Sequence, residues 1–287
     1  MTTILVGIDG TVRGERALAW ALAQANFVTD PQLHLLTVVD PHALRGTGVS
    51  ETDATQAAEN LIASVQRTAA ESNPDLGITA SVTRGGIVDA LVDAADQSDL
   101  IVLGSHHGAS FGEAVGGAKG LRVSVSTNVP TAVIPSDWTP SAADHAESGI
   151  VVGVGPDNVS EKAVEFGVTQ ALATDQPLEL VSVWGLPPVI SRPAEAMGGG
   201  LAPVGRQFQE QLDARALQLR TKNEDLDVTG RSIEGAPASQ LTAAAAGRRM
   251  LVLGTHSRTV LGRALFGSVS HGVLLDLRVP TVVVPNV

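Results

Sequence analysis

The chain of 287 residues contains no cysteine, and only 3% of its residues are aromatic. Without cysteine, a disulfide framework, a thiolate zinc site and a cysteine nucleophile are all excluded. Basic residues are also scarce, since 19 Lys and Arg stand against 30 Asp and Glu, and the formal net charge is −11. No basic run offsets this excess of carboxylates, so no nucleic-acid-binding surface is expected.

Long apolar segments are missing as well. No stretch reaches the roughly 18 residues that a membrane helix requires, so no membrane partner is expected. The N-terminus runs directly into the strand-like residues Thr3–Ile8, without the charged start and small-residue cleavage site of a signal peptide. These absences, with the lack of cysteine, predict a soluble, cytoplasmic protein.

One pattern occurs twice, 150 residues apart. Gly104-Ser-His-His, nine residues and Gly117-Ala recur as Gly254-Thr-His-Ser, nine residues and Gly267-Ser. Each copy leads to a Pro-Thr-apolar-apolar-apolar-Pro segment, at 130–135 and 280–285, and 11 of 32 positions between 104 and 135 match the second copy without a gap. This repeat predicts a duplicated domain, with domain 1 at 1–136, a linker at 137–148 and domain 2 at 149–287.

Each half alternates short apolar runs with stretches of three- and four-residue apolar spacing, the pattern of strands separated by helices. The predicted strands of the first half are Ile4–Ile8, Leu33–Val39, Ile78–Val82, Leu100–Leu103 and Thr131–Ile134. Those of the second half are Ile150–Val154, Leu178–Trp184, Val228–Ile233, Met250–Leu253 and Thr281–Val284. Strands that are apolar on both faces predict an α/β fold: two similar, doubly wound parallel five-stranded sheets of Rossmann-like or flavodoxin-like type.

Ligands of such sheets bind beyond the carboxyl ends of the strands, where the strand order reverses. The loops after the first and fourth strands therefore matter most, and in the first half they contain Asp9 and begin at Gly104. Glycine-rich backbone and a helix N-terminus attract phosphate, and the Ser268 hydroxyl would add a donor. A nucleotide is one interpretation; the other is that these glycines only end strands and begin helices.

Other functions are less well supported. A transition-metal site needs three or four convergent ligands, and His106, His107 and His256 supply no complete set. The Gly-Lys-Ser/Thr of an NTPase P-loop is absent, as is the Gly-x-Ser-x-Gly elbow of a hydrolase. The Pro- and Gly-rich segment 185–205 is expected to be a loop, either a cover for a binding site or an insertion without a role.

The glycine loops, the Val-Gly-Ile-Asp-Gly-Thr start and the closing Val-Pro-Thr-Val-Val-Val-Pro segment resemble the universal stress protein family in its tandem form. The resemblance covers nearly the whole chain. It implies an adenine nucleotide, ATP with or without Mg²⁺, at the point where the strand order reverses. It also implies a regulatory role in stress or dormancy and at most weak ATPase activity.

Neither copy of the family's Gly-x-x-Gly, nine residues, Gly-Ser/Thr motif is complete. Domain 1 has His107 in place of the second glycine and Ala118 in place of the hydroxyl, whereas domain 2 has Ser257 and keeps Ser268. Gly155 stands where domain 1 has its acid, and Asp157 is a candidate to replace it. Domain 2 is therefore predicted to hold the triphosphate better. The candidate contacts are Asp9, Val39, Gly104, His107, Gly117, Asp157, Val183, Gly254, Ser257, Gly267, Ser268 and Ser270.

The closing strands, 131–134 and 281–284, are short apolar edges that invite pairing. They are expected to pair within the chain as a pseudo-dimer, or across two chains as a homodimer. Two further hypotheses remain: a dimerising scaffold of the same fold that binds no nucleotide, and an ATP pyrophosphatase. The latter class needs a Ser-Gly-Gly-x-Asp-Ser-like loop after the first strand, which neither half supplies.

Overall fold

The computed structural model describes residues 1–105, 118–140, 149–155, 160–185, 202–255, 259–260, 263–264 and 268–286. The chain divides into two compact units. The first comprises Met1–Pro140 with Ser257–Leu265 and Val287, and the second comprises Ser141–His256 with Phe266–Asn286.

The first unit is a parallel sheet with helices between its strands. Its strands are β1 (Thr2–Gly7), β2 (Pro31–Val39), β3 (Gly77–Arg84), β4 (Leu100–Gly104) and β5 (Thr131–Ile134). Its helices are α1 (Val12–Ala25), α2 (Glu51–Ser72), α3 (Ile87–Ala95) and α4 (Ala118–Ser126). The strands lie in the order β3-β2-β1-β4-β5, and the order reverses between β1 and β4.

This reversal distributes the helices over both faces of the sheet, because right-handed crossovers in opposite directions place their helices on opposite sides. On one face α3 and α4 pack on the sheet through a buried cluster of Leu5, Leu36, Leu91, Ala95, Ile101, Leu103 and Val123. Ile4 and Val6 alternate with Leu5 and are fully buried too, so both faces of β1 are covered. The sequence of β1 is a continuous apolar run for this reason.

The second unit repeats this plan. Its strands are β6 (Ile150–Gly153), β7 (Leu178–Trp184), β8 (Val228–Glu234), β9 (Met250–Thr255) and β12 (Thr281–Pro285). Its helices are α5 (Glu161–Thr174), α6 (Ala202–Lys222), α7 (Pro237–Ala245) and α8 (Ser268–Leu275). The order is β8-β7-β6-β9-β12, again parallel throughout. A short antiparallel pair, β10 (Thr259–Val260) and β11 (Arg263–Ala264), lies between β9 and α8 in the chain.

The predicted α/β class is confirmed, and all ten predicted strands are present with ends displaced by at most two residues. The predicted end of the loop at residue 205 is wrong, because α6 already begins at Ala202. Pro203 stands in the first turn of this helix, where its missing N–H costs no hydrogen bond. Most of the loop, 186–201, lies outside the described residues, and the sequence did not indicate the β10–β11 pair.

Candidate functional site

In domain 1 the first residues after β1 lie beside the end of β4 at the carboxyl edge of the sheet. Val6 of β1 pairs with Val102 of β4, and this register places Gly104 level with Ile8. Asp9 is the next residue after Ile8. Asp9 and Gly104 are therefore neighbours at the reversal of strand order, where ligands of this fold bind.

The carboxylate of Asp9 is exposed but held in place by its own turn. Its Oδ1 accepts hydrogen bonds from the backbone N–H of Thr11 at 3.0 Å and from the Thr11 hydroxyl at 2.7 Å. Gly10 between them has a φ of +73°, a conformation that glycine adopts without strain. The turn thus presents a fixed negative group at the N-terminus of α1, where the helix dipole favours it.

Gly104 is required by packing even without a ligand. A Cβ on Gly104 would lie 2.4 Å from the carbonyl oxygen of Arg13, in the first turn of α1. Any side chain would push β4 and α1 apart. The following residue, Ser105, is 5% exposed, and its N–H donates to the carbonyl of Ile134 at 2.8 Å.

The corresponding loop of domain 2 is built differently. The Gly155 N–H donates to the hydroxyl of Ser160 at 2.8 Å, and Ser160 is 6% exposed. Ser160 lies five residues after Gly155, as Gly14 lies five residues after Asp9. A Cβ on Gly14 would lie 2.8 Å from the Asp9 Oδ1. Domain 1 thus has a carboxylate in the loop and a glycine in the helix. Domain 2 has a glycine in the loop and a serine at the N-cap of the helix.

Strand register shows which residue of domain 2 corresponds to Val39. Val39 and Trp184 occupy the same place at the ends of β2 and β7: the Val39 carbonyl accepts from Gly85 N–H at 3.1 Å, and the Trp184 carbonyl from Gly235 N–H at 2.9 Å. The predicted contact Val183 lies one residue earlier and packs on a cluster that includes Val181. Trp184 stacks instead on Phe208 of α6, with ring centroids 6.1 Å apart.

Three further predicted contacts of domain 2 lie in β9 and α8. Gly254 pairs with Val284 near the end of β9, Ser268 is exposed as the first residue of α8, and Ser270 is 3% exposed one turn into that helix. The other predicted contacts, His107, Gly117, Asp157, Ser257 and Gly267, lie outside the described residues.

A cavity of about 170 Å³ lies in domain 2 between α5, α6 and the carboxyl ends of β6 and β7. It is lined by Val154, Gly155, Ser160, Glu161, Val164, Ser182, Phe208, Gln211, Leu212 and Arg215. Reasoning from sequence overlooked it. The available signal was that α6 carries Gln211 and Arg215 where the matching positions of α2, 150 residues earlier, carry Leu61 and Val65.

Two other kinds of site were sought in the described part of the chain. No group of three or more His, Asp or Glu side chains there could hold a metal ion. Likewise, no described helix combines the length and the apolar character needed to cross a membrane.

Comparisons with known proteins agree with the duplicated architecture. The model of the universal stress protein family matches residues 1–135 and again 149–285. A universal stress protein of Mycobacterium tuberculosis is 25% identical over 295 residues, covering 98% of this chain and 96% of the relative. One from Mycolicibacterium smegmatis is 23% identical over 296 residues, with 98% and 96% covered.

A solved structure shows the same fold. The crystal structure of a universal stress protein from Archaeoglobus fulgidus has a TM-score of 0.69 to this chain at 16% identity, and the match covers 99% of this chain and 96% of that one. The family model accounts for nearly every residue of both halves. The chain therefore belongs to the universal stress protein family and carries two tandem copies of its domain.

Proposed function

We propose that the protein binds an adenine nucleotide, ATP with Mg²⁺ on its phosphates, and that occupancy of the site rather than turnover is its output in stress or dormancy. The observation that carries the proposal is the meeting of Asp9 and Gly104 at the reversal of strand order in domain 1. Family membership supports it, because the duplicated glycine loops follow the fourth strand of both domains.

The donors needed for phosphate differ between the domains. In domain 2 the exposed Ser268 begins α8, so its hydroxyl and the N-terminal N–H groups of the helix face the same region. Domain 1 has Ala118 at the corresponding position and keeps the carboxylate for the nucleoside. Domain 2 is accordingly proposed as the stronger triphosphate site and domain 1 as the weaker or vacant one.

The test is an equilibrium titration of nucleotide-free protein with ATP and Mg²⁺, comparing Ser268→Ala with Asp9→Asn. A hydrogen bond to a charged group contributes about 1.5–3 kcal/mol, so Ser268→Ala should weaken ATP binding by about tenfold or more. Asp9→Asn keeps an oxygen that accepts from Thr11 and should leave the stronger site unchanged. Ser64→Ala, an exposed helical serine of α2, is the matched control.

Three outcomes separate the alternatives. Loss of binding in Asp9→Asn with no effect of Ser268→Ala would reverse the ranking of the two domains. No ATP uptake by the unmodified protein would overturn the nucleotide proposal and favour the scaffold hypothesis. Steady ATP hydrolysis at rates of ordinary enzymes would contradict a binding protein with at most weak ATPase activity.

We also propose that the closing strands 131–134 and 281–284 pair, either within one chain or between two chains. Both strands are short and apolar, and each ends the strand order of its own domain. The molar mass in solution distinguishes the two arrangements. A charge at Val283 should loosen the pair of domains, and unchanged hydrodynamic size and stability of Val283→Asp would count against the proposal.

A further inference from the structure

The cavity between α5 and α6 has apolar walls and a polar end. Val164 of α5 and Leu212 and Phe208 of α6 line its sides. Phe208 is held against Trp184 by ring stacking, so this wall is a packed surface and not a loose side chain. Walls of this kind bind the aliphatic part of a small molecule.

Ser182 supplies a hydrogen-bonding group at the end of β7. Its side chain lines the cavity, the residue is 5% exposed, and its hydroxyl makes no hydrogen bond to any other residue that the structure describes. The matching residue of domain 1, Thr37, is equally buried, and its hydroxyl donates to the Ile8 carbonyl at 3.0 Å. The Ser182 hydroxyl is therefore free to donate and to accept a hydrogen bond with a ligand in the cavity.

The rim of the cavity carries one acid and one base. Glu161 at the start of α5 forms an ion pair with Arg215 of α6, and their side chains are 46% and 32% exposed. Partly exposed ion pairs are weak, so a ligand can replace either partner at little cost. A ligand with a single net charge would satisfy one of the two and leave the other unpaired.

Comparison with domain 1 shows that the residues of α6, and not the fold alone, produce this cavity. There the two α2 positions that match Gln211 and Arg215 carry Leu61 and Val65. Leu61 fills the space under the first loop, since its Cδ2 lies 3.0 Å from the place where a Cβ on Gly10 would be. The polar side chains Gln211 and Arg215 at these two positions are therefore particular to domain 2.

We propose that this cavity binds a small zwitterion of amino-acid size. The ligand's carboxylate would pair with Arg215 and its ammonium group with Glu161, while a hydroxyl or amide on its side chain would bond to Ser182. Among the lining residues only Gly155, at the position of Asp9, corresponds to a predicted nucleotide contact, and it has no side chain to offer. The two ligands are therefore expected to bind independently, and this inference does not depend on the proposed nucleotide function.

The experiment is ligand-observed saturation-transfer NMR of the full chain with each of the twenty standard amino acids at millimolar concentration. At least one amino acid with a hydroxyl or amide side chain should bind. Its N-acetyl and its carboxamide derivatives should each bind at least tenfold more weakly, because each lacks one charge. Saturating ATP should leave the amino-acid signal unchanged.

The matched variant gives domain 2 the residues of domain 1, Gln211→Leu with Arg215→Val. It should abolish binding while keeping the unfolding temperature close to that of the parent, because the same side chains pack at these positions in domain 1. Ser182→Ala should weaken binding about tenfold. Gln218→Leu with Arg206→Val, two exposed positions of α6 outside the cavity, is the control.

Four results would overturn the inference: no binding of any amino acid to the parent protein, equal binding of the uncharged derivatives, unchanged binding in the Gln211→Leu, Arg215→Val variant, and displacement by ATP. The last would assign the cavity to the nucleotide site.

Discussion

In domain 1 the loop after the first strand presents a carboxylate, whereas in domain 2 the same loop donates a hydrogen bond to a serine hydroxyl. The Asp9 carboxylate lies beside Gly14, and Ser160 stands where Gly14 would be, bonded to the N–H of Gly155. Both solutions close the turn at the helix N-terminus. Among the described residues of the two loops, only Asp9 places a charge at the carboxyl edge of the sheet.

A second exchange lies in the sheets themselves. His34 of β2 bonds to the Thr79 and Ser81 hydroxyls at 2.9 and 2.8 Å. Strand register places Glu179 of β7 at the same position, where it binds Arg231 at 2.6 Å and Arg248 at 3.0 Å. A neutral hydrogen-bonded group in one domain has thus become an ionic one in the other, with the backbone frame retained.

These exchanges show which parts of the fold are free to change. Strand order, register and the approach of the first helix to the fourth strand are kept, while polar groups in the first-strand loop and on the sheet change together with their partners. Duplication allows this, because each domain can keep the shared frame with its own set of paired groups. The following predictions test that view.

The largest effect is expected at Gly104, where the contact between β4 and α1 leaves no room for a side chain. Gly104→Val would place a side chain against the Arg13 backbone carbonyl, 2.4 Å from its Cβ, and should destabilise the protein by about 3 kcal/mol or more. Urea unfolding measures the loss. Gly120→Ala is the control, because its Cβ would meet Val133 at 3.4 Å and alanine favours a helix. Equal stability of the two variants would mean that the strand–helix approach is not fixed.

An intermediate effect is expected for the compensating pair. Gly14→Ser should cost about 1–3 kcal/mol in the parent, since its Cβ would lie 2.8 Å from the Asp9 carboxylate. In an Asp9→Gly background the cost should shrink, because the loop then matches Gly155 and Ser160 of domain 2. A double-mutant cycle by urea unfolding should give a coupling of about 1 kcal/mol. If the free-energy changes of Asp9→Gly and Gly14→Ser were strictly additive, the two loop sequences would not be interchangeable ways to close this turn.

The smallest effect concerns pH. Burial lowers the pKa of His34 below its usual 6.5, because desolvation disfavours the charged ring. The unfolded chain therefore takes up a proton here at higher pH than the folded one. The stability that neutral His34 contributes is complete above about pH 6.5 and is lost as the pH falls below it.

Thermal unfolding between pH 7.5 and 5 tests this assignment. His34→Gln should flatten the decline in unfolding temperature below pH 6.5, whereas His42→Gln, at an exposed position, should not. An identical decline in His34→Gln and the parent would exclude His34 as a source of the pH dependence.

Much of this architecture was readable from the sequence because buried parallel strands leave an unambiguous pattern. Asp9 and Gly104 were found because their loops follow such strands. Trp184 was not identified as the counterpart of Val39, since the match depends on strand register, and a shift of one residue is invisible in an apolar run. The cavity could not be predicted from the sequence for a different reason. Ser182 and Arg215 are far apart in sequence, and only the packing of α5 and α6 on the sheet brings them together.

Nucleotide carried by the purified protein would be the most direct sign of a binding site in domain 2. Freshly purified protein should be denatured, and any released nucleotide identified and counted by chromatography and mass spectrometry. We predict about one ATP or ADP per chain, held by domain 2. Two per chain would show that the Asp9 domain is also a full site and contradict the ranking of the two halves. None, with no uptake of added ATP, would contradict nucleotide binding itself.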